Sequence, residues 1–112
     1  MTVTLCIRPG GGTIVAISGE VDVCTEAPLQ QALLRIIREC SARLMLDLSG
    51  VSFMDCAALR ALLATQRRAE LRGGCMRLIG ASAAVRRIIE LTGAQEALAM
   101  ERSTTDRSVP FF

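Results

Sequence analysis

An aspartate and a cysteine stand together at a predicted helix start, in the stretch FMDCAALRALL at residues 53–63. A thiol there could be a nucleophile, a redox switch, a metal ligand or an inert replacement for another small side chain. If Asp55 is the N-cap, the backbone N–H groups of Cys56, Ala57 and Ala58 lack helical partners and favour an anion. The neighbouring carboxylate disfavours a second negative charge, so the sequence leaves the net effect on Cys56 open.

The sequence lacks the partners that would make this thiol catalytic. A cysteine nucleophile is commonly activated by histidine, and the chain has none. Zinc sites need clustered Cys and His ligands, and the five cysteines show no Cys-x-x-Cys spacing. Asp22 and Asp55 could form an acid–base pair, but no motif fixes them around a pocket. The glycine run at 10–12 lacks the Gly-Lys-Ser/Thr ending of a phosphate loop. We therefore expect a protein that is not an enzyme and needs no metal or cofactor.

Composition limits the class of protein further. The chain has 112 residues, 51% of them apolar, which is enough for one domain with its own core. Thirteen arginines and eleven acidic residues give a net charge of +2. The pairs Arg67/Arg68 and Arg86/Arg87 are diluted by acids, which predicts solvated helix faces rather than direct nucleic-acid binding. No apolar run approaches the about 20 residues of a membrane span.

The cysteines indicate a reducing compartment. Their number is odd, no two are close in sequence, and no signal peptide opens the chain. Together these features favour a cytoplasmic protein. Cys6, Cys40 and Cys75 lie among apolar neighbours, and we expect them to be small buried hydrophobes.

Hydrophobic periodicity predicts a hairpin and a helix before the Asp55 motif. Residues 2–7 and 13–18 have the character of paired antiparallel strands, joined by a turn at 8–12 and ended by Gly19. Thr25 is the predicted N-cap of a helix of about 15 residues. The predicted apolar face of this helix is Leu29, Leu33, Ile36, Ile37 and Cys40.

The second half of the chain alternates strands and helices. Residues 44–48 predict a strand buried on both faces, followed by a connector and by a helix from Asp55 to about Leu71. Residues 75–80 predict the next strand, and Ser82 caps a third helix. The predicted inner faces of the two helices are Leu59, Leu62, Leu63 and Ala69, and Val85, Ile88, Ile89 and Leu91.

The predicted fold class is α/β, in a single domain over residues 1–112 with its core in 2–100. The order of elements indicates one mixed sheet of four to five strands, with three to four helices packed mainly on one face. Residues 97–100 could add the last strand. Residues 101–112 form a C-terminal tail that could dock a short helix or fray.

Three stretches in order resemble the STAS domain, and more narrowly the bacterial anti-sigma factor antagonists (anti-anti-sigma factors). They are GEVD at 19–22, LDLSGVSFMD at 46–55 with the Leu59 that follows, and LIGASAAVRRIIELTGA at 78–94. The resemblance covers residues 2–100 with family-like spacing, and it depends on all three stretches together. It implies a mixed sheet with helices on one side, as the periodicity predicts independently.

The resemblance also implies a function. In that family the unphosphorylated antagonist binds an anti-sigma factor that is a serine kinase of the histidine-kinase-like ATPase type, and a sigma factor is released. The resemblance therefore implies a cytoplasmic regulator of transcription, a monomer or weak dimer. Its partner surface would be Glu20, Asp22, Ser52, Met54, Asp55, Cys56 and Ala57. Two of these have a simpler alternative: Met54 could belong to the core and Asp22 could be a turn residue.

The motif departs from the family at the position of the phosphoacceptor. The family pattern is Asp-Ser-(Ser/Thr)-Gly-Leu, where the first Ser is phosphorylated, and this chain has Asp-Cys-Ala-Ala-Leu at 55–59. Cys56 therefore stands where the hydroxyl would be. Three interpretations remain: an antagonist that phosphorylation does not switch off, a redox-gated antagonist or thiol sensor, and a degenerate STAS module in another signalling or transport complex.

Overall fold

The structure is a computed structural model that describes residues 1–7 and 12–93. Its first two elements are the antiparallel strands β1 (Thr2–Ile7) and β2 (Thr13–Val21). Because opposite residues of such a pair point to the same face, Leu5 and Val15 share one face, and Cys6 and Ile14 share the other. Val15 is fully buried, whereas Cys6 is exposed. The first of these faces is therefore the core face of the hairpin.

The rest of the described chain alternates helices with parallel strands. The elements are α1 (Glu26–Glu39), β3 (Arg43–Met54), α2 (Cys56–Leu71), β4 (Cys75–Ala81) and α3 (Ala83–Thr92). The strand order is β1-β2-β3-β4, and β3 pairs in parallel with both β2 and β4. The connections β2-α1-β3 and β3-α2-β4 move the chain across the sheet in the same direction. Because such crossovers are right-handed, α1 and α2 lie on the same face of the sheet. This confirms the predicted mixed α/β sheet, with four strands and three helices in the described part.

Alternating side chains of the sheet and the inner faces of the helices form one hydrophobic core. Strand β2 alternates buried and half-buried residues along residues 13–18, as a half-covered strand should. In β3 the run at 44–46 is buried without a break, in agreement with the prediction of burial on both faces. The largest fully buried side chains include Ile17, Leu29, Leu33, Leu44, Leu46, Leu48, Leu62, Met76, Leu78 and Ile89.

Two strands are longer than the sequence analysis predicted. Strand β2 continues through Gly19 to Val21, and the predicted connector after residue 48 is part of the 12-residue strand β3. The pairing of β2 with β3 shifts register between Ala16 and Ser18 and again between Gly19 and Glu20. Gly19 has a φ of 93°, so it occupies a bulge instead of ending the strand.

Side chains and glycines fix the helix ends. The hydroxyl of Ser82 accepts the Val85 N–H at 3.3 Å, as predicted for an N-cap. Thr25 is the N-cap of α1 by position, but its side chain makes no capping bond, so that part of the prediction is wrong. Helix α2 ends before Gly73, whose φ of 78° suits glycine. None of the three described helices is long and apolar enough to cross a membrane.

Three predicted core residues are at the surface instead. Cys6 lies on the face of β1 that points away from the helices, and Cys40 follows the last residue of α1. Leu91 is 74% exposed because it lies about 200° around α3 from the buried Ile89. Cys75 is half-buried. Residues 8–11 of the predicted turn at 8–12, the predicted strand at 97–100 and the tail at 101–112 lie outside the described residues.

Replacing Thr13 by valine should stabilise the fold. Thr13 is fully buried between Ile7 and Leu44 in the sheet register, and its Oγ1 has no hydrogen-bond partner among the described residues. Valine has nearly the same shape without the hydroxyl, so Thr13→Val should raise the free energy of unfolding by about 1 kcal/mol, as measured by urea denaturation. Thr4→Val, at an exposed position of β1, is the control and should change stability little. A loss of stability in Thr13→Val would mean that the hydroxyl is satisfied.

Candidate functional site

The carboxyl ends of β2 and β3 bring two acidic residues together. Val21 pairs with Met54 at the end of the parallel ladder, and Asp22 and Asp55 are the next residues. The Asp55 N–H donates to the Val21 carbonyl at 3.3 Å, so the two chain segments remain adjacent beyond the sheet. The turn at 22–25 therefore lies beside the N-terminus of α2, and the two segments together form the candidate site.

Asp55 holds these two segments in place with both of its carboxylate oxygens. Its Oδ1 accepts the Ala58 N–H at 2.9 Å, which caps α2 as the sequence predicted. Its Oδ2 accepts the Val23 N–H at 3.1 Å, across 32 residues of sequence. Hydrogen bonds to a charged group are worth about 1.5–3 kcal/mol each, so this residue contributes both to the helix and to its junction with the turn. Asp55 is thus a structural link within the site.

Asp22 organises the neighbouring turn. Its Oδ1 accepts the N–H groups of Cys24 at 2.9 Å and Thr25 at 3.2 Å. In return the Asp22 N–H donates to Oγ1 of Thr25 at 2.8 Å, which explains why that hydroxyl does not cap α1. This is the turn role that the sequence offers as the simpler alternative for Asp22.

Cys56 is the first residue of α2, and its thiol is exposed. Within residues 1–7 and 12–93, the N–H groups of Cys56 and the half-buried Ala57 have no hydrogen-bond acceptor, while the Ala58 N–H is taken by Asp55. Free N–H groups at the positive end of a helix dipole can bind an anion that approaches the helix tip. The predicted position of Cys56 at an accessible helix tip is confirmed.

The other predicted site residues differ in accessibility. Glu20 is exposed and lies opposite Phe53 in the register. Ser52 has no partner in that register because it is the extra residue of the bulge, and it is exposed as well. Met54 is only 5% exposed and belongs to the core, which is the alternative considered for it. Met54 therefore supports the site from beneath its surface.

Apolar surface beside the site was not predicted. Val23 and Phe53 are 67% and 49% exposed. Phe53 also lines a shallow groove of about 240 Å³ that continues along α3 to Ile88 and Leu91. Two signals in the sequence could have indicated these residues: Val23 is an apolar residue inside a polar turn, and Leu91 is out of phase with the inner face of α3.

Away from this site, the titratable residues that the structure describes include no metal-binding cluster. In the described part of the chain, no three Cys, Asp or Glu side chains lie close enough together to hold a metal ion. Burial raises the pKa of the Cys75 thiol above its ordinary value, although the nearby Arg43 and Arg77 act in the opposite direction. A thiol with a raised pKa is a weaker nucleophile near neutral pH, because less of it is thiolate.

The family of the chain follows from comparison with known proteins. The family model of the STAS domain matches residues 5–108. The chain therefore belongs to the STAS domain family, as the three sequence stretches implied, and the mixed sheet with its helices is the fold of that family.

Individual relatives give a narrower comparison. The anti-sigma-F factor antagonist RsfB of Mycobacterium tuberculosis is 32% identical over 68 residues, which are 61% of this chain and 55% of RsfB. The chain thus spans about half the length of this curated relative. A crystal structure of an anti-sigma factor antagonist from Mycobacterium paratuberculosis is 28% identical, with a TM-score of 0.75 over 94% of this chain and 90% of that one. The phosphorylated form of the Bacillus cell fate determinant SpoIIAA, 17% identical, shares the fold, with a TM-score of 0.68 over 96% and 100% of the two chains.

Removing the Asp55 carboxylate should destabilise the protein more than removing a simple helix cap. Asp55→Ala loses the bonds to both Ala58 and Val23, so we expect the free energy of unfolding to fall by about 2–3 kcal/mol in urea denaturation. Ser82→Ala is the matched control, since Ser82 caps α3 through a single bond, and it should lose only about 1 kcal/mol. Equal losses in the two variants would show that the bond to Val23 contributes nothing.

Proposed function

We propose that this chain is an anti-sigma factor antagonist that binds its anti-sigma factor through the surface around the N-terminus of α2. The observation that carries the proposal is the exposed Cys56 thiol at the phosphoacceptor position, held at an accessible helix tip by Asp55. The STAS fold and the antagonists among its relatives support the same function.

The surface has the composition of a protein contact. Val23 and Phe53 supply exposed apolar area, and Glu20 supplies a negative charge beside Phe53. The carboxylates of Asp22 and Asp55 already accept backbone N–H groups, so their role is to position these contact residues. Because the turn and the helix tip are tied together before any partner arrives, little conformational entropy is lost on binding.

The partner we propose is an anti-sigma factor of the serine-kinase type with a histidine-kinase-like ATPase fold, and its capture would release a sigma factor. Such regulation would place the chain in the cytoplasm as a binding protein without catalytic activity. The relatives named as antagonists support this function over that of a module in a transport complex. The redox alternative has only the exposure of Cys56 in its support.

Cys56 would remove the usual switch while preserving the binding surface. A phosphorylated serine adds a charge of about −1.5 to −2, which next to Asp55 would repel a closely packed partner. A thiol is similar to a hydroxyl in size but is not the acceptor that a serine kinase uses. We therefore propose that binding by this chain is not ended by phosphorylation at position 56.

A negative charge introduced at position 56 should weaken binding. We expect the chain to bind an anti-sigma kinase encoded in the same genome in calorimetric titration, and Cys56→Glu to bind at least about tenfold more weakly, through repulsion and desolvation of the added carboxylate. Cys40→Glu is the matched control, because Cys40 is equally an exposed cysteine but follows the last residue of α1. The proposal fails if none of these kinases binds the chain, with or without nucleotide, or if both variants lose the same affinity.

Restoring the hydroxyl should restore phosphorylation. When the chain is incubated with its cognate kinase and ATP, we expect no added phosphate by mass spectrometry, whereas Cys56→Ser should gain one, because the serine oxygen can attack the γ-phosphate. Cys24→Ser, on the neighbouring turn, is the control and should gain none. Phosphate on the unaltered chain, for example at Ser49 or Ser52, would show that another hydroxyl has replaced position 56.

A further inference from the structure

A second groove lies between α1 and α2, on their outward surface. Its volume is about 490 Å³. The floor is apolar and is formed by Leu34 of α1 together with Leu63 and Ala64 of α2. Its lining contains no acidic residue, and the only charges in it are the guanidinium groups of Arg60, Arg67 and Arg68.

The residues of α2 in this groove follow a helical stripe. Arg60, Leu63, Ala64 and Arg67 have the spacing i, i+3, i+4 and i+7, which places them on one face of the helix. Arg60 and Arg67 are separated by nearly two turns, about 10 Å along the axis. An apolar strip with a cation at each end therefore faces the solvent between the two helices.

The positive charge of this groove has no acidic ion-pair partner in the part of the chain that the structure describes. Among residues 1–7 and 12–93, Arg60, Arg67 and Arg68 form no ion pair and no side-chain hydrogen bond. On the outer face of α1, by contrast, Arg35 pairs with Glu39 at 3.3 Å. Three arginines beside an apolar floor call for a ligand that carries both negative charge and apolar side chains.

We propose that the groove between α1 and α2 binds an acidic amphipathic helix of a partner protein. Apolar residues of that helix at i, i+3 or i+4, and i+7 would pack on Leu34 and Leu63. Its flanking carboxylates would pair with Arg60 and Arg67, where bidentate guanidinium–carboxylate bonds would fix the register. This surface is separate from the candidate site around Cys56, and the proposal does not depend on the proposed function.

A protein helix fits the groove better than a nucleic acid does. Nucleic-acid binding requires a basic track along a phosphate backbone, and here the arginines are interrupted by a leucine and an alanine. The chain as a whole carries a net charge of only +2. The apolar floor would remain uncovered beneath a phosphate backbone, whereas leucines of a helix would bury it.

The test uses a synthetic fluorescein-labelled peptide of leucine and glutamate with helical heptad spacing. Its binding to the full chain is measured by fluorescence anisotropy, and the contacted residues are located by NMR chemical-shift changes. We expect saturable binding, with the shifts concentrated at Leu34, Leu63 and Arg67. The double variant Arg60→Glu/Arg67→Glu should bind at least tenfold more weakly. Arg72→Glu/Arg86→Glu, which makes the same change in net charge outside the groove, should bind like the unaltered chain.

Further measurements distinguish the possible ligands of the groove and test whether the variants are folded. A scrambled peptide of equal composition that binds as well as the heptad peptide would overturn the proposal, because charge alone would then explain binding. Tighter binding of a single-stranded DNA oligonucleotide, lost in the same double variant, would overturn it in favour of a nucleic acid. Shifts confined to residues 22–25 and 55–57 would overturn it without affecting the proposed function. Arg60→Gln/Arg67→Gln, a milder variant, should reproduce the loss with an unchanged circular dichroism spectrum.

Discussion

The carboxylate of Asp55 is the constraint on which the candidate site depends. One of its oxygens accepts the N–H of Ala58 in the first turn of α2. The other accepts the N–H of Val23, which lies 32 residues before Asp55 in the turn after β2. The parallel pairing of Val21 with Met54 places the two segments at the same edge of the sheet, but the pairing ends there. The backbone bond from the Asp55 N–H to the Val21 carbonyl keeps the segments adjacent, and the two carboxylate bonds fix the turn against the helix tip. With them, Val23 and Cys56 occupy one surface of fixed shape, which supports the proposal of a preformed binding site.

This arrangement separates the residues that build the surface from those that a partner could contact. The acidic residues of the sequence motif, Asp22 and Asp55, use their oxygens on backbone N–H groups of the chain itself. The exposed groups are the side chain of Val23 in the turn, the ring of Phe53 at the bulge and the thiol of Cys56. Acidic motif residues therefore do not by themselves indicate an acidic contact. Under the proposed function, the negative charge that matters for a partner is a charge added at position 56, beside the first free N–H groups of the helix.

The sequence predicts best those features that depend on neighbouring residues. Asp55 and Ser82 were identified as helix caps because capping involves residues three positions apart, and α2 was bounded correctly by its cap and its glycines. The sequence does not predict the bulges in the pairing of β2 with β3, or the strand residues beyond them, because bulges arise from pairing between distant segments. The same limit explains Cys6: its apolar neighbours in sequence lie on the other face of a strand. The exposed Phe53 was missed because alternation along one strand does not show which face the helices cover.

The two carboxylate bonds of Asp55 do not involve the side chains at 56–58, because Asp55 accepts backbone N–H groups. The Val23 and Ala58 amides are present whatever side chains follow the aspartate. Alanine at position 58 points into the core and is fully buried, so it adds a methyl group to the packing beneath the helix tip. The helix cap, the turn and the exposed apolar residues of this chain thus require no hydroxyl at position 56. Under the proposed function, recognition would depend on the exposed apolar residues, and its control by phosphorylation would depend on the side-chain atom at position 56.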